Sequence, residues 1–322
     1  MKILATGRYL PEKILTNADI SKFVDTTDEW IMTRTGIRER RMATESETSA
    51  FMGAEAAREA LARASVSAEE IDLIIVATVT PDATFPSTAC YIQNSIGATK
   101  AAAFDLQAAC SGFLYGLVVA NQFLLSGTYK NILLIGSEKL TSIVDWKDRS
   151  TCVLFGDGAG AVVLQACPGR EKLLAFDLGA NGRLHDILYL HNSNTAKANG
   201  KVLGEAGACM IMAGQEVFKQ AVTEMARSAR KTLEKAGLTV DDLRCVIPHQ
   251  ANVRIIDALT ERLKVPAGKC FVNLQRYGNI SAACIPVALY EAQIEYDLKP
   301  GDKILLIAFG GGLTWASAVI EL

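Results

Sequence analysis

Three residues have types suited to covalent and hydrogen-bond catalysis: Cys110 in Asp105-Leu-Gln-Ala-Ala-Cys110-Ser-Gly-Phe, His249 in Val246-Ile-Pro-His249-Gln-Ala-Asn252, and Asn279 in Tyr277-Gly-Asn279-Ile-Ser. Cys110 stands where a short apolar strand turns into a helix that is apolar on nearly every side and therefore has to be buried. A thiol at the first turn of such a helix meets unpaired N–H groups and the positive end of the helix dipole, both of which favour thiolate. Cys110 is thus a candidate nucleophile. The plainer reading of each residue is structural: a free cysteine packs as a small hydrophobe, a histidine after a buried strand as a core group, and an asparagine after glycine as a turn.

The elements that must position these residues belong to a chain of 322 residues, half of them hydrophobic, which is enough for about two domains with large cores. A net charge of −2 offers no electrostatic case for nucleic acid or a membrane surface as partner. No charge occurs between Asp105 and Lys130, but Gln107, Ser111, Asn121 and Gln122 interrupt the run, so it predicts an interior helix rather than a membrane span. Met1-Lys-Ile-Leu-Ala-Thr-Gly is too short for a signal peptide, and the expected location is cytoplasmic. Eight cysteines without CxxC spacing and only three histidines argue against a disulfide framework and a zinc cluster.

A weak internal repeat organises the chain. Ala57–Val76 aligns without a gap with Ala229–Pro248, an offset of 172, and Asn131-Ile-Leu-Leu-Ile-Gly matches Lys303-Ile-Leu-Leu-Ile-Ala at the same offset. Between them Phe104-Asp-Leu-Gln resembles Val272-Asn-Leu-Gln at a slightly different offset. Each copy reads as an amphipathic helix, a turn restarted by Ser67 or Thr239, and a buried strand. Strands and helices that alternate and are duplicated predict an α/β architecture with two similar sheets, divided near Pro168-Gly169 into 1–169 and 170–322. Residues 180–212, without clear periodicity, read as an insertion of the kind that lines sites. His249 and Cys110 each follow a buried strand, where ligands gather in such sheets. Gly156-Asp-Gly-Ala-Gly160 lacks dinucleotide-loop spacing and reads as a turn between strands.

Together with Asp28-Glu-Trp30-Ile-Met-Thr-Arg34, Phe155-Gly-Asp-Gly-Ala-Gly-Ala and Phe309-Gly-Gly-Gly-Leu-Thr-Trp315, the three segments resemble, in order and from end to end, β-ketoacyl-acyl-carrier-protein synthase III. The resemblance implies a thiolase-like duplicated fold, five-layered α-β-α-β-α, with two mixed sheets around buried central helices. It also implies a condensing enzyme that joins an acyl-CoA primer, with acetyl-CoA expected, to malonyl-acyl carrier protein and initiates fatty-acid synthesis. Asn279 separates the chain from thiolases and elongating synthases, which carry cysteine or histidine at that position. No cofactor beyond the coenzyme A thioester substrate is expected.

The same resemblance assigns residues. Cys110, His249 and Asn279 form the catalytic set, and the N–H groups of Cys110 and Gly311 form the oxyanion hole. Trp30, Arg34, Arg149, Gly214 and Asn252 bind coenzyme A. Phe155, Met210, Met212 and Phe218 shape the acyl pocket, with Phe85 reaching in from the partner of a homodimer. Gln250, Arg254, Arg262 and Lys219 contact the acidic carrier protein, with Lys264 nearby and Glu261 standing where relatives usually carry a base. A starter-unit synthase of polyketide metabolism and a carrier-binding scaffold without turnover are the competing readings.

Overall fold

In the computed structural model, residues 1–167, 172–191, 197–198, 201–202 and 209–322 are described. The predicted boundary at Pro168-Gly169 lies outside them, as does part of the 180–212 insertion.

Runs of Ile, Leu and Val supply interior strands buried on both faces, as strands covered by helices must be, and half-buried strands close the edges. In the first half these are β1 (Lys2–Tyr9), β2 (Leu73–Ala77), β3 (Ala102–Leu106), β4 (Asn131–Lys139) and β5 (Asp157–Gln165), paired in the order β1-β5-β4-β2-β3. The second half repeats the pattern with β6 (Leu173–Ala180), β7 (Cys245–Pro248), β8 (Lys303–Gly310) and β9 (Thr314–Glu321) in the order β6-β9-β8-β7. A parallel bridge from Val246 to Cys270 stands in for the fifth strand. In the first sheet β4, β2 and β3 run parallel and in the second β7 runs parallel to β8, while β1, β5, β6 and β9 pair antiparallel with their neighbours. Both sheets are mixed, as expected.

The register confirms the repeat and corrects one part of it. Leu73 faces Ile132 in the first sheet and Cys245 faces Ile304 in the second, which reproduces the offset of 172. However, Ile74 pairs with Ala103 and its counterpart Val246 with Cys270, so Phe104 corresponds to Phe271 rather than to Val272. The short match was one residue out of step.

Helices on both sides of each sheet complete the layers. Helix α1 (Ser49–Ala64) covers the outer face of the first sheet and α3 (Gly214–Ala236) that of the second. Between the sheets lie α2 (Gly112–Leu125) and α4 (Cys284–Glu295), whose Phe113, Leu114, Leu117, Ile285 and Leu289 fill one shared core. The order is α-β-α-β-α. Ser67 and Thr239 each make a capping box at equivalent points, so the duplicated helix-turn-strand reading holds down to its caps. No helix among the described residues is long and apolar enough to cross a membrane; α2 is interior, as its pattern predicts.

Gly156–Gly160 is not a turn. From Asp157 onward it is buried strand, and a side chain at Gly160 would run into Pro286 of α4 at 2.8 Å. The glycines let the central helix lie against the sheet. Asp157 points to the other face of the strand and is buried there, its carboxylate accepting the Ala43 and Thr141 N–H groups and the Thr141 hydroxyl.

Candidate active site

The strand ends of both halves open into one cavity of about 940 Å³. Cys110, His249 and Asn279 all line it, although 139 residues of chain separate the first from the second. Trp30, Arg34 and Arg254 line it too and are at least partly exposed, so the cavity leads from the surface to the sulfur.

Cys110 sits in a 3-10 turn, Ala109–Ser111, one step before α2. Ala109 takes the left-handed conformation, φ 47°, and turns the chain so that the sulfur faces the cavity. Gly310 backs this turn so closely that a Cβ there would stand 2.6 Å from the Cys110 nitrogen. Desolvation at the cavity floor pushes the thiol up to about 12, with the nearby Glu138 charge acting in the same direction and opposing the pull towards thiolate expected at a helix start. The resting group is a thiol.

His249 follows β7 and is 4 % exposed; its backbone N–H donates to the Ile307 carbonyl at 2.7 Å, which ties it to the neighbouring strand. Burial lowers its imidazole to about 4, so the ring is neutral at physiological pH and carries one N–H. Asn279, 7 % exposed, is held by backbone hydrogen bonds with Leu154 and Gly156. Its Oδ1 accepts the Ser281 N–H at 2.8 Å, which leaves the Nδ2 hydrogens as the donors of the amide. Two neutral donors and a thiol thus share one floor, with Gly311 beside them on the wall.

The remaining expected residues divide. Phe155, Met210, Met212 and Phe218 line the cavity, as does Gly214. Arg34 and Arg149 both lie over the Trp30 ring, their guanidinium carbons 4.8 Å and 5.0 Å from its centre. Asn252 lines the cavity as well, but its amide caps the helix Val253–Leu263 through the Arg254 N–H and donates to the Arg34 carbonyl. Phe85, 84 % exposed, lies outside this chain's own cavity. Arg254 is at the mouth, over Phe218 at 5.7 Å, whereas Arg262 and Lys219 are exposed but do not line the cavity.

Gln250 is a correction. It is 1 % exposed and points inward: its Nε2 donates to the Pro248 and Phe271 carbonyls, and its Oε1 accepts the N–H groups of Asn273 and Leu274. It fixes the loop beside His249 and offers nothing to a docking partner. Sequence reading also missed His185, Leu188 and Tyr189, which line the cavity from the start of the insertion, and the buried pair Glu138 and Ser281 near Cys110.

A duplicated five-layer fold that brings a thiol and two uncharged donors from both halves to the floor of one tunnel defines a thiolase-fold condensing enzyme. The comparisons narrow this. A family model described as 3-oxoacyl-[acyl-carrier-protein (ACP)] synthase III matches residues 104–182, and one described as its C-terminal part matches 233–322. β-Ketoacyl-[acyl-carrier-protein] synthase III of Aquifex aeolicus is 52% identical over 320 residues, covering 99% of each chain. The crystal structure of the Thermus thermophilus enzyme of that name is 45% identical, with a TM-score of 0.94 over 100% of this chain and 99% of that one. The priming β-ketosynthase of the R1128 polyketide pathway is 37% identical, with a TM-score of 0.93 over 100% and 96%. The chain belongs to the β-ketoacyl-[acyl-carrier-protein] synthase III family.

Proposed function

We propose that the chain initiates fatty-acid synthesis with Cys110 as the acyl acceptor and with His249 and Asn279 as the groups that drive decarboxylation. Cys110 sulfur attacks the carbonyl of an acyl-CoA primer, and the N–H groups of Cys110 and Gly311 meet the oxyanion as the bond to the CoA sulfur breaks. Malonyl-acyl carrier protein then loses its carboxylate as CO2. The electron pair left behind is delocalised onto the thioester oxygen, which accepts hydrogen bonds from the His249 and Asn279 N–H groups. The carbanion attacks acyl-Cys110 and the sulfur leaves, releasing 3-oxoacyl carrier protein.

One observation carries this reading: His249 and Asn279 are both uncharged hydrogen-bond donors lining the same cavity as the Cys110 thiol, so charge that develops on the oxygen is stabilised without either residue changing its own. Trp30 between two arginines suits an adenine and phosphates at the mouth, and exposed Arg254 suits an acidic carrier. We infer a homodimer, supported by β3 lying at the free edge of its sheet and by the protruding Phe85, and a division into 1–169 and 170–322, supported by the matching sheets. The likeness to a polyketide priming synthase favours a second reading, a starter-unit enzyme of secondary metabolism. A panel of acyl-CoA primers incubated with malonyl-acyl carrier protein and read by mass spectrometry decides between them. Turnover of acetyl-CoA in preference to longer or unusual primers supports fatty-acid initiation, and strict preference for an unusual primer overturns it. Selective alkylation of Cys110 among the eight cysteines, mapped by peptide, separates either enzyme from a scaffold.

A further inference from the structure

The two decarboxylation donors sit on separate loops and must meet at one oxygen. His249 Nδ1 is buried with no hydrogen-bond partner among the described residues, so no carboxylate or carbonyl orients the ring at that nitrogen and its place is set by the backbone on either side. That backbone leads to one carboxylate. Gln250, next to His249, accepts the Asn273 N–H at 2.9 Å through its Oε1, and the Asn273 side-chain amide donates to Glu291 Oε2 at 2.8 Å. Tyr277, two residues before Asn279, donates its hydroxyl to Glu291 Oε1 at 2.5 Å. Glu291 lies on α4, is 4 % exposed and lines no part of the cavity. Its oxygens also accept the guanidinium N–H groups of Arg276, at 2.7 Å, and of Arg8. Arg8 belongs to β1, in the sheet whose β3 leads to Cys110, so the same carboxylate ties both second-half loops to the half that carries the nucleophile.

We infer that Glu291 is a positioning residue for decarboxylation: one buried carboxylate sets the His249 loop and the Asn279 loop at the spacing the thioester oxygen requires. Glu291 touches neither the substrate nor the reacting atoms. It acts through Asn273 and Gln250 on one side and through Tyr277 on the other, and both arms are short chains of hydrogen bonds between buried groups. Four donors converge on its two oxygens, so a carboxylate suits the place, whereas a carboxamide of the same size turns an N–H against one of the donor pairs. A buried donor that loses its acceptor carries a desolvation cost that favours movement of its loop. A shift of about 1 Å at a catalytic group costs about 10²-fold in rate. Acylation is set elsewhere. The Cys110 turn is backed by Gly310 and held by the Thr314 hydroxyl, which donates to the Ala108 carbonyl at 2.9 Å, and it shares no hydrogen bond with the Glu291 network among the described residues.

The proposal rests on His249 and Asn279 being the decarboxylation donors, and His249→Ala measured alongside keeps the two apart. Malonyl-thioester decarboxylation without acyl-CoA and single-turnover acylation of Cys110, followed by mass spectrometry, are compared in the wild type, Glu291→Gln, Tyr277→Phe and Asn273→Ala. The last two each cut one arm. Each is expected to lower the decarboxylation kcat about three- to tenfold, the cost of one lost hydrogen bond. Glu291→Gln, which loosens both arms, is expected to lower it about 10²-fold. KM for the malonyl thioester and the acylation rate are expected to stay within about twofold in all three, a split that general loosening of the fold does not produce. Adding Tyr277→Phe to Glu291→Gln is expected to cost no more than about twofold further, because that arm is already cut. Decarboxylation within about twofold of wild type in either single-arm variant, or acylation that falls in step with it, overturns the positioning role. If Glu291→Gln does not fold, the single-arm variants decide the question by themselves. Wild-type decarboxylation in His249→Ala overturns instead the donor assignment on which the proposal rests.

Discussion

Asn279 Oδ1 accepts the Ser281 backbone N–H at 2.8 Å, and that single bond decides which end of the amide faces the tunnel. Aspartate at this position would keep the accepting oxygen and present a second acceptor where the donor had been. Asn279→Asp is expected to lower malonyl decarboxylation by roughly 10²- to 10³-fold, the usual cost of one lost oxyanion donor, while Cys110 acylation changes by no more than about threefold. Decarboxylation at the wild-type rate in this variant would remove Asn279 from the oxyanion site.

Because burial lowers His249 to about 4, the neutral donor form persists below its ordinary value near 6.5. Decarboxylation measured without acyl-CoA is therefore expected to stay level from mildly alkaline to mildly acidic pH and to fall only towards about 4. The sign follows from the lowered value: acid must overcome desolvation before it charges the ring. A midpoint at the ordinary histidine value would mean that the imidazole is more hydrated than the fold indicates.

Trp30, flanked by Arg34 and Arg149, is the proposed stacking surface for the adenine. Trp30→Ala is expected to raise KM for acyl-CoA by roughly two- to thirtyfold at nearly constant kcat, the range of one lost stacking contact. An acyl-pantetheine thioester, which lacks the nucleotide, provides the check. If its KM rises equally, Trp30 supports the fold rather than the nucleotide.

A Cβ at Gly310 would meet the backbone nitrogens of Cys110 at 2.6 Å and Ser111 at 3.1 Å, atoms that cannot swing aside. Gly310→Ala is expected to displace the nucleophile turn, lower acylation by about 10²-fold and cost about 1–3 kcal/mol of stability by thermal unfolding. Wild-type acylation in this variant would show that the turn has slack the packing does not suggest.

Much of this was legible in the linear chain because it is written in local pattern. The apolar run after Cys110 reads as an interior helix, the repeat reads through its caps to Ser67 and Thr239, and the cysteine, histidine and asparagine segments carry their family order. What was not legible depends on packing. Gln250 looks like a polar residue after an active-site histidine, and only the fold reveals that both ends of its amide are used by backbone groups from 248, 271, 273 and 274. The dipole of a helix start is visible in sequence, whereas the desolvation that opposes it at Cys110 is not. Gly156–Gly160 looked like a turn until α4 was seen pressing on the sheet there. Glu138 closes an unremarkable apolar strand, and its neighbour Ser281 arrives from 143 residues further along.

The two left-handed turns, Ala109–Ser111 and Ser281–Ala283, have one backbone shape and opposite fates. Where one copy carries a sulfur at Cys110, the other carries a methyl at Ala282, so the architecture is symmetric and its reactivity is not. Only one copy must keep its side chain for bond-making, and the silent one is released from that duty.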